Sequence, residues 1–236
     1  MPRKILILAG TKEARMLANR LVNVGHYVIS SFAGVTVNPI VPEGHIRSGG
    51  FGGTEGLRQY ITDENIEVLV DATHPFAAVI SEHAAEAAPD VLRLERPAWQ
   101  ALPQDNWIHV PDIDAAVLAL PVDARVMLTI GRKGIANFSA CSGVARMIEP
   151  PANPLPENWH VLLERPPFSV ADELALMALH GITHLVTKNA GGRETAAKLE
   201  AARSLGLPVI MIARPIKPKV ETYATVDAIA AAIASR

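Results

Sequence analysis

Short aliphatic runs alternate along this chain with longer stretches whose apolar residues recur every three or four positions, and few folds accommodate that alternation. The run from Lys4 to Leu8 ends at Ala9-Gly10 and predicts a strand buried on both faces. Ala14, Leu17, Ala18, Leu21 and Val22 then predict a helix from Lys12 to Val24, stopped by Gly25. The theme continues with strands at 27–32, 68–70 and 91–94 and helices at 54–62 and 77–88. Strand and helix taking turns implies parallel pairing with right-handed crossovers. After a loosened stretch at 96–111, strands are predicted at 126–130, 161–163, 184–187 and 209–212, with helices at 170–179, 194–205 and 225–234. Pro150, Pro151, Pro154 and Pro156 make 149–157 an extended connection. The 236 residues, 49% of them hydrophobic, suffice for two α/β cores. The predicted domains are 1–96 and 97–236.

A formal net charge of -2 gives no broad footprint for nucleic acid, so an anionic ligand must be met by local basic groups. Cys141 is the single cysteine, which excludes an internal disulfide and a cysteine-based zinc cluster and fits a reducing, cytoplasmic setting. The apolar run before Gly10 is too short for a signal-peptide core or a membrane span. The chain is expected to work as a monomer.

Chemistry is expected where strands run into turns. Ala9-Gly10-Thr11-Lys12 places a glycine before a helix N-terminus, which suits a phosphate or an ordinary α/β turn equally; the full G-x-G-x-x-G fingerprint is missing. The second strand ends Ser30-Ser31-Phe32-Ala33-Gly34, without the carboxylate that binds a ribose 2′-hydroxyl, so a dinucleotide bound here would be NADPH rather than NADH. Gly49-Gly50-Phe51-Gly52-Gly53 allows close backbone approach to a ligand, or a mobile surface loop. In Asp71-Ala72-Thr73-His74, the histidine is a candidate proton donor or a satisfier of local backbone groups, and Asp71 a turn residue. Arg96, Arg165 and Arg214 each precede a proline, poised for carboxylates or lying along the surface. The turns after Thr129 (Gly131, Arg132, Lys133) and Thr187 (Lys188, Asn189, Gly191, Gly192) combine glycines with basic residues and suit anionic groups.

Taken in order, L-A-G-T-K-E-A-R (8–15), S-G-G-F-G-G (48–53), D-A-T-H-P-F-A (71–77), R-L-E-R-P-A-W (93–99), L-T-I-G-R (128–132), V-T-K-N-A-G-G (186–192) and A-A-R-S-L-G-L-P-V (201–209) resemble the precorrin-6A reductase family of cobalamin biosynthesis over nearly the whole chain. Two departures stand out. Ala190 replaces a usual Ser, and Val35 replaces a common Arg that would bear on a nucleotide phosphate.

The resemblance implies two Rossmann-like three-layer domains with parallel sheets and a cleft between them, the first binding NADPH and the second completing the substrate cleft. It implies reduction of a macrocycle double bond of precorrin-6A to give precorrin-6B; metal and flavin are not implied. Cofactor contacts are then expected from Gly10, Thr11, Glu13, Ser31, Gly34, Gly50, Phe51, Gly52, Thr73 and His74. Contacts to the carboxylate arms of the tetrapyrrole are expected from Arg132, Lys188, Asn189, Gly191, Gly192 and Arg214, with Arg193 also at hand. His74 and Lys188 are the candidate catalytic residues. The alternatives are the same reduction on cobalt-precorrin-6A, a non-catalytic NADP-binding sensor and a phosphosugar-binding protein.

Overall fold

The computed structural model describes residues 1–34 and 40–236, and in it the first aliphatic run forms β1 (Lys4–Leu8). Alternation across the strand sends Ile5 and Ile7 to one face and Leu6 and Leu8 to the other, each group into its own buried cluster. The Thr11 hydroxyl accepts from the amide of Ala14 and starts α1 (Lys12–Asn23), whose Ala14, Leu17, Ala18 and Leu21 are buried against the sheet. Each leucine so buried contributes about 1.5–3 kcal/mol before entropy is counted. The unit continues through β2 (Tyr27–Phe32), β3 (His45–Ser48), α2 (Thr54–Asp63), β4 (Val68–Asp71), α3 (Ala78–Ala87) and β5 (Leu92–Leu94).

The second unit holds β6 (Trp107–Val110), α4 (Ile113–Leu118), β7 (Arg125–Thr129), β8 (Ser142–Met147), β9 (Trp159–Leu163), α5 (Val170–Leu179), β10 (His184–Lys188), α6 (Ala197–Ser204) and β11 (Val209–Ile212). The chain then forms β12 (Glu221–Tyr223) and α7 (Val226–Ser235). Both sheets are parallel throughout and six-stranded, in the orders β12-β5-β4-β1-β2-β3 and β6-β11-β10-β7-β8-β9. Each is a doubly wound sheet. Its strand order reverses between β1 and β4 in the first and between β7 and β10 in the second, and such switch points are where parallel sheets take ligands. No helix among the described residues is long and apolar enough to cross a membrane.

Residues 215–236 were expected in the second domain, whereas Pro215–Arg236 belongs with Met1–Pro97 and the second unit is Ala98–Arg214. The reason is pairing. Strand β12 adds to β5, with Thr222 opposite Arg93, and α7 buries Ile229, Ala230 and Ile233 in the cluster that contains Ile5 and Ile7. Strand β8 was also not foreseen, although Val144 to Met147 are buried. Gly143 interrupts the apolar run because a Cβ there would land on the Val126 carbonyl oxygen, and Arg146 interrupts it because Glu173 of α5 neutralises the guanidinium at 2.5 Å. Helix α6 begins at Ala197 rather than 194, after a turn closed by Ala196 N–H to Arg193 O.

Candidate active site

Because β1, β2, β3 and β4 run parallel, their carboxyl ends bring the first half's candidate residues to one edge of one sheet. At the switch point Thr11 Oγ1 donates to Ala72 O at 2.9 Å while accepting from Ala14 N at 3.1 Å, so one hydroxyl clasps two turns and caps a helix. Gly10 has φ +142°, and no atom lies within 4 Å of where its Cβ would be. That leaves the start of α1 open to an incoming group. Ala9 N–H reaches Ser31 O at 2.8 Å, tying this turn to the end of β2. Glu13 is held by Arg96 at 2.8 Å, so its carboxylate serves an ion pair within the unit.

Asp71 closes β4 and is 1% exposed. It accepts from Thr73 N at 3.2 Å, Thr73 Oγ1 at 2.6 Å and Arg93 Nε at 3.0 Å. Burial alone would raise its pKa, but the Thr73 hydrogen bond, the Lys217 charge and the Arg93 hydrogen bond outweigh it and hold the carboxyl below its ordinary value. Asp71 is thus the turn residue the sequence suggested, and its partner Arg93 was not foreseen. His74 Nδ1 accepts from Phe76 N at 3.2 Å, which makes Nε2 the proton-bearing nitrogen of the neutral ring.

The glycine-rich loop between β3 and α2 is organised by Arg47, which was not among the expected site residues. Arg47 donates to Gly49 O at 2.5 Å, Gly50 O at 2.8 Å and Ser31 Oγ at 3.3 Å. Its guanidinium carbon lies 3.8 Å from the Phe51 ring centroid. The signal was a basic residue two positions before a glycine cluster. Gly34, Ser48 and Gly49 come together here: a Cβ on Gly34 (φ +73°) would sit 3.5 Å from Ser48 Oγ. Val35 lies outside the described residues.

Gly56, in the first turn of α2, completes the loop. A Cβ there would land on the Phe51 carbonyl oxygen, which is backbone and cannot yield. Gly56→Ala is therefore expected to destabilise by about 1–3 kcal/mol despite alanine's higher helix propensity. Thermal unfolding of the variant checks this, and an unchanged or higher Tm would refute it.

In the second unit Lys188 ends β10, half-buried. Burial first, and then the Lys133 charge, push its pKa below the ordinary lysine value. Arg132 and Lys133 are exposed on the β7 turn. The other candidates turn out to build the β10 turn. Asn189 accepts from Trp99 N at 2.8 Å and donates to Trp99 O at 3.2 Å, and Trp99 Nε1 donates to Gly192 O at 2.9 Å. Arg214 Nε donates to Asn189 O at 2.8 Å and Nη2 to Ala190 O at 3.1 Å. Gly191 (φ +69°) and Gly192 (φ +88°) supply the left-handed backbone the turn requires. Of the other arginines before proline, Arg96 holds Glu13, whereas Arg165 is exposed and meets Glu149 at 3.6 Å.

A cavity of ≈ 500 Å³ opens at the other end of the first sheet, lined by Arg3, Arg20, His26 and Ile233 among others. The C-terminal ends of α1 and α7 close on it, so their carbonyl dipoles disfavour an anionic cofactor there.

The family profile described as "Precorrin-6x reductase CbiJ/CobK" matches residues 4–234. A precorrin-6A reductase from Rhodococcus erythropolis is 47% identical, covering 98% of this chain and 96% of its own. A cobalt-precorrin-6A reductase from Priestia megaterium is 32% identical over 98% of each chain. The solved structure of a CobK precorrin-6A reductase superposes with a TM-score of 0.93 at 42% identity, covering 99% of this chain and 96% of that one. With two doubly wound sheets, open glycine turns at the switch point and similarity that runs from end to end, this chain belongs to the precorrin-6x reductase CbiJ/CobK family.

Proposed function

We propose that the chain is an NADPH-dependent reductase that reduces a ring double bond of precorrin-6A to give precorrin-6B in cobalamin biosynthesis. The observation that carries the cofactor reading is the carboxyl edge of the first sheet. Gly10, Gly49, Gly50 and Gly52 leave open space there, a basic residue stands beside the end of β2, and β2 ends without a carboxylate. These residues fit a dinucleotide. Amides at the start of α1 suit its pyrophosphate, and Ser31, Gly34 and the 50–52 loop suit its adenosine ribose. When bound, the nicotinamide supplies a hydride.

The protein's own residues bind, orient and protonate. Thr73 and His74 end the turn next to Thr11, and His74 offers Nε2–H for orientation or proton supply. In the second unit Arg132 and Lys188 are the cations offered to acetate and propionate arms, while Asn189, Gly191, Gly192 and Arg214 fix the turn that follows Lys188. Burial and the neighbouring Lys133 lower the Lys188 pKa, which makes its ammonium a stronger acid than an ordinary lysine and a candidate proton donor.

The precorrin-6A reading is supported by the higher identity to the relative of that name than to the cobalt-precorrin relative. The test is titration with NADPH and NADH, followed by absorbance at the nicotinamide band after adding precorrin-6A or its cobalt form. Selective NADPH binding with oxidation dependent on precorrin-6A is the expected result. Preference for the cobalt form would reassign the substrate. Binding without turnover on either would replace the reductase by a sensor.

A further inference from the structure

We infer that Arg47 is the residue by which this protein distinguishes a 2′-phosphorylated adenosine from an unphosphorylated one, an assignment that rests on the NADPH reading above. Arg47 stands directly opposite Ser31 in the β2–β3 ladder, so the two side chains leave the sheet on the same face. The end of the second strand is where a dinucleotide fold meets the ribose 2′ position. Here that place carries a hydroxyl backed by a guanidinium, and the residues that follow β2 (Ala33, Gly34, Val35) bring no charge.

The guanidinium is already held in place. Gly49 O, Gly50 O and Ser31 Oγ occupy three of its five N–H groups, and the Phe51 and Tyr60 rings lie 3.8 Å and 5.1 Å from its central carbon. The rotamer entropy that a free surface arginine loses on binding is thus largely spent in advance. Nε–H and one Nη2–H have no acceptor among the described residues, and a bidentate phosphate contact needs two such donors.

The loop backbone adds to this. Drawing the Gly49 and Gly50 carbonyls toward Arg47 turns the N–H groups of Gly50 and Phe51 the opposite way, because each trans peptide is planar. Neither amide has a backbone acceptor among the described residues. Gly50 is informative because its φ lies outside the left-handed region and its Cβ would meet nothing within 4 Å. The fold itself does not require glycine at that position, whereas an oxygen approaching the Gly50 and Phe51 amides does. The ligand class is a phosphate monoester on a ribose, met by one guanidinium fork and two amides.

If Arg47 were only a strut for the loop, its loss would weaken phosphorylated and unphosphorylated nucleotides alike. Calorimetric titration of the whole protein with 2′,5′-ADP and with 5′-AMP separates the two roles. The wild type is expected to prefer 2′,5′-ADP by about 10- to 100-fold, the range of a charge-assisted contact. In Arg47→Gln the preference should fall below about threefold, because 2′,5′-ADP loses both the guanidinium and the loop it braces whereas 5′-AMP loses the bracing alone. Gly50→Ala should keep the wild-type Tm and lose much of the preference, which carries the test should Arg47→Gln fold poorly. A preference retained in both variants overturns the assignment, and so does an equal loss of both ligands in a folded Arg47→Gln. A wild type that shows no preference at all instead refutes the NADPH reading on which the assignment stands.

Discussion

Replacing Arg93 by alanine is expected to cost the first unit about 3–5 kcal/mol, because it strands a carboxylate in the interior. Asp71 is 1% exposed and Arg93 5%, so neither gains solvent when the other is removed. Arg93 Nη1 also donates to Pro218 O at 2.9 Å, and Lys217 meets Glu95 at 2.7 Å. The same variant therefore loosens the return segment that delivers β12. For a protein of this size about 1 kcal/mol corresponds to 2–4 °C, so a Tm drop of roughly 6–20 °C is expected by calorimetry. A loss under about 1 kcal/mol would mean that the pair is no more than a surface salt bridge.

The pH dependence follows from the same carboxyl. Its folded pKa lies below the unfolded value, so the ionised form favours the folded state. That contribution is complete above the unfolded pKa, near 4, and is lost as pH falls from there through the folded value. Acid titration of stability should accordingly be steeper for the wild type than for Asp71→Asn, which starts lower but has no charge to lose at this site.

Lys188→Ala is expected to slow turnover by about 100- to 1,000-fold if the lysine ammonium delivers the proton that accompanies hydride transfer. Burial and Lys133 push its pKa down, so wild-type kcat should decline as pH rises through that lowered value, and the variant should lack the decline. A rate within about threefold of wild type would dismiss Lys188 as the donor and point to His74 or to water. A rise in KM with unchanged kcat would place the lysine on a substrate carboxylate instead.

The alternation of aliphatic runs and helical stretches made most of the fold legible, because strands buried on both faces need apolar runs, and β1, β4 and β11 have them. Strand β8 escaped because what admits its Gly143 and Arg146 is a close carbonyl and a glutamate on a helix nearly thirty residues away. Among the candidate site residues, the turns of Gly10, Thr73 and Lys188 were visible as glycine or polar residues at strand ends. The division of labour inside them was not. Sequence makes Asn189 and Arg214 look like ligand contacts, yet Trp99, about ninety residues earlier, occupies the Asn189 side chain, and Arg214 is spent on backbone carbonyls. Arg47 is the converse case, since its place two residues before a glycine cluster is a local hint that does not by itself say it will stack on Phe51 and hold the carbonyls of Gly49 and Gly50.

The late return of 215–236 to the first sheet also sets an order of events on the ribosome. Strands β1 to β5 are translated early, but β5 stays an open edge and the face of α1 that receives α7 stays bare until residues 221–235 have left the exit tunnel. The second unit, 98–214, is contiguous and has all its strands before then. The half of the protein that is synthesised first is thus the half that finishes folding last, and its unfinished edge is where a chaperone would find the nascent chain.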